Sequence, residues 1–371
     1  MMISLFIRKK NNKFCVIYEY RDEVTKKRRQ KQLGAFEKKK DANTLLAEER
    51  LKIDRGLFVK PNLEIKLYDW LVQWNNERED KISVTTYSYY KSMIKNRYNK
   101  KSRLGNINIK DITPNAIEVF YSELRKEGLA KNTIAKHHKM LNKAFVDAKR
   151  RQLIYKNPCE YVEKPASSKS TISKILTVKE AKLLLDEVKN TPYELPVNLA
   201  LGLGLRAGEI FGLTWDNINF ENKTIFINKS LALNKETKEL FFKDPKTASS
   251  KRRLFIPNHL NELLKKYKEK QKENAYNLVL VNRYNKPQNP GNFSKTFGDF
   301  LKRNKLEQIR FHDLRHTNAS LHLKAGTDLK VTSKTLGHST IGITADLYTH
   351  VLQELDQSAA HNINSILYSK N

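Results

Sequence analysis

Between Arg310 and His350 the chain reads RFHDLRHTNASLHLKAGTDLKVTSKTLGHSTIGITADLYTH, a stretch dense in side chains able to do chemistry. His312, Arg315 and His316 stand at i, i+3 and i+4, a spacing that sets all three on one face of a helix. A glycine-bearing turn at Gly326 follows, then Leu336-Gly337-His338-Ser339, and further on Tyr348, set just before a last histidine, His350. Imidazoles, a guanidinium and a phenol make a poor zinc set, with no second cysteine or carboxylate at ligand spacing. They suit phosphoryl transfer without a metal. A guanidinium binds a phosphate bidentately, an imidazole donates or accepts a proton, and a phenol is a nucleophile able to form a phosphodiester adduct. Each piece alone is more often surface chemistry than a site.

The elements that must hold these groups are legible upstream. Thr177-x-x-Glu180 has the form of a capping box and opens the helix TVKEAKLLLDEVKN. After Pro196, LALGLGLRAGEIFGLTW predicts a buried helix ending near Gly202-Leu203-Gly204, with Arg206 emerging from the turn and Glu209 three residues on. By itself such a pair is a surface contact worth roughly a few tenths of a kcal/mol. From Lys223 to Pro257 the pattern changes to strands, TIFINKSLAL, ELFFKDPKT and KRRLFIP. Lys246 falls at the turn between the last two, with Lys243 and Lys251 as close competitors. Residues 258–309 read as a charged helix, a buried strand around Leu278-Val279-Leu280-Val281, a Pro/Asn/Gly loop and another helix. Beyond Val351, Ala359, Ile363, Ile366 and Leu367 give a short helix pattern.

The 371 residues carry 70 Lys+Arg against 40 Asp+Glu, a net +30 spread along the whole length, which favours a long polyanion as partner. A membrane surface is the competing polyanion, but nothing in the sequence supports it. The apolar stretch Ile3 to Ile7 is too short for a signal peptide core, and no segment approaches the roughly 20 apolar residues of a spanning helix. Cys15 and Cys159 are the only cysteines and lie far apart, so neither a disulfide framework nor a zinc cluster is implied and a cytoplasmic setting is expected.

The N-terminal residues alternate strand-like runs with turns: SLFIR, Asn11-Asn12, KFCVIYEY, Arg21-Asp22-Glu23 and RRQKQLGAF. A helix through Ala42, Leu45, Leu46 and Ile53 follows, with Gly56 as its C-cap. Residues 1–40 hold 13 Lys/Arg against 4 Asp/Glu, with Tyr18 and Tyr20 interleaved, which suits a sheet laid on DNA. Arg28, Arg29 and Lys31 are the candidate contacts on its third strand. From residue 61 to 165 the pattern is helical. Leu63, Leu67, Trp70, Leu71 and Trp74 mark a first helix, and Val84 to Tyr98 a second. Thr113-Pro114 caps and starts a third that stops near Gly128, and a fourth runs from after Asn132-Thr133 to about Arg151. His137-His138 reads as part of a polar helix face. Lys131, Thr133, Lys136, His137, Lys139 and Lys143 on that helix suit a surface facing phosphates. The chain as a whole reads as multidomain and mostly α, with small β-sheets.

The H-x-L-R-H-T run, the L-G-H-S turn and the tyrosine that follows resemble, in order and spacing, the tyrosine recombinase (phage integrase) family, and in particular integrases of phages and integrative conjugative elements. The segment around Arg206 resembles the family's first arginine box, and Lys246 matches its hairpin lysine. The resemblance implies residues 1–58 as an arm-type DNA-binding domain, 62–163 as a helical core-binding domain, 164–174 as a linker, and 175–371 as a mixed α/β catalytic domain with a C-terminal tail. It implies a six-residue set: Arg206 and Arg315 flanking the scissile phosphate, Lys246 protonating the departing 5′ oxygen, His312 accepting the tyrosine proton, His338 on a non-bridging oxygen, and Tyr348 as nucleophile. Tyr348 is chosen from 16 tyrosines by this context, with Tyr368 the other candidate in the tail. Glu209 and His316 are expected to support the set.

The activity so implied is site-specific integration and excision of a prophage or mobile element, through a 3′-phosphotyrosyl intermediate with no cofactor, metal or ATP. The implied partners are double-stranded DNA attachment sites, three further protomers in a homotetramer held by tail exchange, and accessory excision or DNA-bending factors. The arm-like domain favours an integrase over a chromosome- or plasmid-resolving recombinase. A type IB topoisomerase, a non-enzymatic DNA-binding regulator and a metal-dependent nuclease are the other readings, the last disfavoured by scattered acidic residues.

Overall fold

Asn11 and Asn12 both take positive φ (47° and 59°), the geometry of a two-residue turn whose twist matches that of paired strands. In the computed structural model, which describes residues 4–21, 27–54, 64–166, 174–234, 236–244 and 251–347, this turn joins β1 (Ser4–Lys10) to β2 (Lys13–Arg21). β3 (Arg28–Phe36) pairs with the other side of β2, giving an antiparallel sheet in the order β1-β2-β3. A register shift between Val16 and Ile17 interrupts the β2–β3 ladder. α1 (Lys39–Asp54) packs on all three strands and buries Ala42 completely. This is the sheet and helix that the alternating runs predict; the cap expected at Gly56 lies outside the described residues.

The described chain is mostly helical with small antiparallel sheets, and it forms two units, residues 1–169 and 170–371. No described helix is long and apolar enough to cross a membrane.

The first unit continues with α2 (Leu67–Asn76), α3 (Val84–Arg97), α4 (Pro114–Lys126) and α5 (Lys131–Arg150). Ser83 and Thr113 accept hydrogen bonds from Thr86 N–H and Ala116 N–H and so cap α3 and α4. Trp70, Trp74, Tyr98, Tyr121 and Phe145 fill the core of this bundle. Both of its buried indoles are answered: Trp70 Nε1–H donates to the Ala144 carbonyl (3.2 Å) and Trp74 Nε1–H to Asp147 (2.7 Å). Two expectations need correction. α5 starts at Lys131, ahead of Asn132-Thr133. His137 and His138 are not on a polar face; they are buried, with Nδ1 atoms 2.9 Å from Tyr98 Oη and 3.1 Å from Tyr121 Oη. A phenol partner lets a neutral imidazole sit among apolar side chains, which polarity scales do not anticipate.

In the second unit, α6 (Val178–Glu187) opens on the expected capping box, with Thr177 and Glu180 reciprocally bonded. α7 (Glu194–Leu203) and α8 (Ala207–Phe211) follow, then strands β4 (Ile218–Asn219), β5 (Thr224–Ile227), β6 (Ser230–Leu233), β7 (Leu240–Lys243) and β8 (Arg252–Phe255). The last two strands do not pair with each other. β8 joins β5 in the sheet β4-β5-β8, while β6 and β7 form a separate hairpin. The strands that precede and follow Lys246 in the chain therefore belong to two different sheets. α9 (Asn258–Lys270) and α10 (Pro290–Arg303) come next. Between them Leu278 and Val281 form only isolated bridges, to Thr214 and Pro287, where a strand was expected; the run is buried but too short to pair along its length. α11 (Asp313–Lys324), α12 (Leu329–Leu336) and α13 (Ile341–Leu347) complete the described unit.

Candidate active site

Arg206 owes its position to the way α7 ends. Gly204 takes φ 63°, and a Cβ there would lie 2.6 Å from Asn318 Oδ1, so only glycine lets the chain turn this close to α11. Arg206 then sits extended at the head of α8 (φ −75°, ψ 151°). Glu209 folds back on it, accepting from the Arg206 backbone N–H at 2.9 Å and from its Nη1–H at 2.9 Å. The pair is not the surface contact that its spacing alone would suggest. The Glu209 side chain is only 7% exposed, and a second guanidinium, from Arg252 on β8, forks onto both of its oxygens at 3.0 Å. Burial by itself would raise the Glu209 carboxyl. The hydrogen bonds and charge of Arg252, then the charge of Arg206, hold it at about 2.

Arg315 lies one turn into α11 and is buried. Aromatic contacts fix the start of that helix: Phe311 meets Phe293 and Phe297 edge-on at 5.1 and 5.3 Å. Asn318 Nδ2–H donates to the Leu201 carbonyl (2.7 Å), tying α11 to α7. Arg315 Nη1–H donates to the Gly204 carbonyl (2.7 Å) and Nη2–H to the Leu336 carbonyl (2.5 Å). Both carbonyls belong to helix C-terminal ends, where the backbone presents partial negative charge. One guanidinium thus fastens the turn that leads to Arg206 to the turn that leads to His338.

The second turn also needs glycine. Gly337 has φ 65°, and a Cβ would stand 3.0 Å from Arg252 Nη1. Arg206 Nη2–H reaches the Gly337 carbonyl at 3.4 Å. His338 follows, with Nδ1 2.8 Å from the hydroxyl of Thr344, which is fully buried on α13. α13 ends at Leu347, immediately before Tyr348. Tyr348 and Lys246 both lie outside the described residues.

His312 stands at the head of α11 with helical backbone angles, its ring edge-to-face with His316 at 5.1 Å. Surrounding protein, then His316, then the guanidiniums of Arg315 and Arg206 push the His312 imidazole down to about 4. The residue is nevertheless exposed, so solvent screens part of those charges. Burial comes first for His338 too, followed by Arg315 and Arg206, and brings it to about 3. His316 is also lowered, mainly by burial. All three imidazoles are therefore neutral near pH 7, beside a cluster of guanidiniums whose charge Glu209 and Asp313 offset in part. Such a cluster receives an anion, and an anion bound there would raise both His312 and His338 toward their ordinary values.

The described site residues thus come together: Arg206, Glu209, Arg315 and His338 through direct or one-step contacts, His312 and His316 through ring contact and charge. Arg252 and Thr344 were not anticipated. The available hint for Arg252 was strand alternation, since it shares the inward face of β8 with Leu254. Thr344 gave no signal.

The candidate DNA contacts are placed differently. Arg28 and Arg29 are exposed on β3, an edge strand, and Arg28 is bridged to Glu19 at 2.6 Å, holding that carboxyl below its usual range. Lys31 is half-buried. On α5, Lys131, Lys136 and Lys139 are exposed, Thr133 is half-buried and His137 belongs to the core. Lys136, Lys139 and Lys143 continue one exposed strip at helical spacing.

Residues 174–354 match the phage integrase family and residues 66–168 the phage integrase SAM-like domain. A "Tyrosine recombinase XerC-like" protein of Caldanaerobacter subterraneus subsp. tengcongensis is 28% identical over 93% of this chain and 94% of its own length. The "ICEBs1 integrase" of Bacillus subtilis is 26% identical over 70% of this chain and 72% of its own. Among solved structures, the Tn1549 transposon integrase in complex with a circular intermediate DNA superposes with a TM-score of 0.68 at 19% identity, over 79% of this chain and 99% of that one. A lambda integrase tetramer bound to a Holliday junction gives 0.58 at 22%, over 91% and 95%. At these identities the structures speak for the fold. With the two family matches covering the helical bundle and the unit that holds the guanidinium cluster, the chain belongs to the phage integrase family of tyrosine recombinases.

Proposed function

We propose that this chain is the integrase of a prophage or mobile element, acting in the cytoplasm on double-stranded attachment sites. The observation that carries the site assignment is the Arg315 bridge, which sets Arg206 and the His338 turn around one point. In this reading the scissile phosphate lies between Arg206 and Arg315. Tyr348 Oη attacks phosphorus while its proton passes to His312, which is neutral and able to accept it. The P–O5′ bond breaks, and Lys246 supplies the proton to the leaving 5′ oxygen, a contribution of roughly 10²–10⁴ in rate for so poor a leaving group. The guanidiniums meet the added charge of the pentacoordinate state, about 10²–10³ for one aimed donor. With Nδ1 engaged by Thr344, His338 presents Nε2 toward a non-bridging oxygen. The products are a 3′-phosphotyrosyl ester and a free 5′ hydroxyl. Attack on the ester by a partner strand's 5′ hydroxyl restores the phosphodiester and the phenol, so neither ATP nor metal enters the balance.

Around this chemistry, residues 1–58 serve as the arm-binding domain with Arg28, Arg29 and Lys31 toward DNA. Residues 62–163 clamp the core site with Lys131, Thr133, Lys136 and Lys139 facing phosphates. Four protomers bridge two duplexes, a reading supported by the lambda integrase tetramer bound to a Holliday junction, and the tail beyond Val351 docks on a neighbour. Accessory factors bias integration against excision. The XerC-like relative aligned over nearly the whole chain favours one second reading, a chromosome- or plasmid-resolving recombinase. Plasmids carrying the element's junction sequences, incubated with the protein in EDTA, should yield strand-exchanged products. Supercoil relaxation without exchange would point to a type IB topoisomerase instead, and binding with neither outcome to a regulator.

A further inference from the structure

Three successive carbonyls at the end of α12 each accept from a different guanidinium: Thr335 from Arg252 (2.7 Å), Leu336 from Arg315 (2.5 Å) and Gly337 from Arg206 (3.4 Å). Two of these arginines belong to the set already placed around the phosphate. The third, Arg252, has a side chain only 4% exposed, with Nε–H on the Thr335 carbonyl and both Nη atoms on Glu209. Its fork is spent on Glu209, and Glu209 Oε1 is shared between Arg252 Nη1 and Arg206 Nη1.

We propose that Arg252 is a positioning residue for strand cleavage, acting through Glu209 and the α12 end to aim Arg206 and the His338 turn at the scissile phosphate. This rests on the reading of Arg206 given above. Arg252 neutralises Glu209, so that the carboxylate orders Arg206 by one oxygen and one backbone bond instead of drawing its whole guanidinium inward. Arg252 also bonds the carbonyl two residues before Gly337, and its guanidinium packs where that glycine passes, so the turn and Arg206 share one support. Lysine cannot replace it, since an ammonium keeps the charge but loses the fork onto both carboxylate oxygens and the Nε–H bond to Thr335.

The test compares wild type, Arg252→Lys and Arg206→Ala in single-turnover cleavage of a nicked attachment-site duplex. The same duplex is then used with a methylphosphonate at the scissile position, which removes the charge that the guanidiniums hold. Arg252→Lys should cleave the natural phosphate about 10²-fold more slowly with its DNA dissociation constant within about twofold of wild type. On the methylphosphonate that deficit should shrink to less than about tenfold, because an aimed guanidinium no longer matters there. An undiminished rate, or an equal loss on both substrates, would overturn the proposal. If Arg206→Ala itself cleaves like wild type, the reading of the site falls and the proposal with it. If Arg206→Ala is impaired and Arg252→Lys is not, the proposal alone falls. Should Arg252→Lys lack a cooperative melt, Glu209→Asp takes its place, keeping both charges while withdrawing the carboxylate by one methylene, and the same ratio of losses decides.

Discussion

His137 and His138 in the helical bundle, and His312 and His338 in the second unit, all hold their imidazoles below the ordinary pKa, yet the two settings differ in what stands beside the ring. In the bundle each ring meets a tyrosine hydroxyl among apolar side chains, and burial comes first for both, followed by a single cation each, Arg97 for His137 and Lys164 for His138. In the second unit burial again comes first, but guanidiniums follow, and His312 is exposed. The first arrangement holds its rings neutral and packed. The second can change state when an anion arrives, because part of its shift is repulsion that a phosphate would cancel. A depressed histidine thus sits beside one cation in the bundle and beside a group of guanidiniums in the second unit, and only the latter setting fits the proposed site.

The sharpest way to break that contrast is to remove the charge. Arg315→Ala should lower single-turnover cleavage by about 10²–10³. It should also lower the melting temperature, since the Gly204 and Leu336 carbonyls lose their donor at about 1–3 kcal/mol each. Full activity in that variant would refute the role of the guanidinium cluster.

The bundle side is probed by acid. His137 has a folded pKa of about 4 against an ordinary 6.5, so between those values the unfolded chain binds the extra proton and the folded one does not. Its stability contribution is therefore complete above pH 6.5 and is lost as pH falls toward 4, on the order of 3 kcal/mol in all. Denaturant melts of wild type and His137→Gln across that range should show the slope in the first and its reduction in the second. Identical slopes would contradict the assignment.

Smaller effects sharpen the comparison. Thr344→Val removes the hydroxyl that fixes His338 without changing volume, and should slow cleavage about fivefold to tenfold, the equivalent of one hydrogen bond, with DNA affinity unchanged. Smallest of all, Arg206→Gln should raise the His338 titration followed by NMR in DNA-free protein by less than about one pH unit, because burial outranks charge there, while His137 should not move.

Much of this was written locally in the chain. Asn11-Asn12, Ser83, Thr113-Pro114 and the Thr177–Glu180 box act through their own backbone, so a sequence exposes them. Arg206, His312, Arg315 and His338 stood out because their types and spacing fit one chemistry, and the fold brings their turns together. What stayed hidden depends on partners distant in the chain. Nothing near His137 announces Tyr98, and nothing near Arg252 announces Glu209 or Thr335. The exchange of pairing that puts β8 beside β5 instead of β7 is likewise a choice between strands of similar composition, made by the packing of the whole unit.

The guanidinium cluster is proposed to serve a tyrosine nucleophile at position 348. A nicked attachment-site duplex that releases its 5′ strand on cleavage, incubated in EDTA with wild type and with Tyr348→Phe, tests it most directly. The account predicts a denaturation-resistant protein–DNA adduct in wild type alone, with the DNA mapped by peptide sequencing to Tyr348. Specific binding of that duplex with no adduct in wild type, or an adduct that persists in Tyr348→Phe, would contradict it.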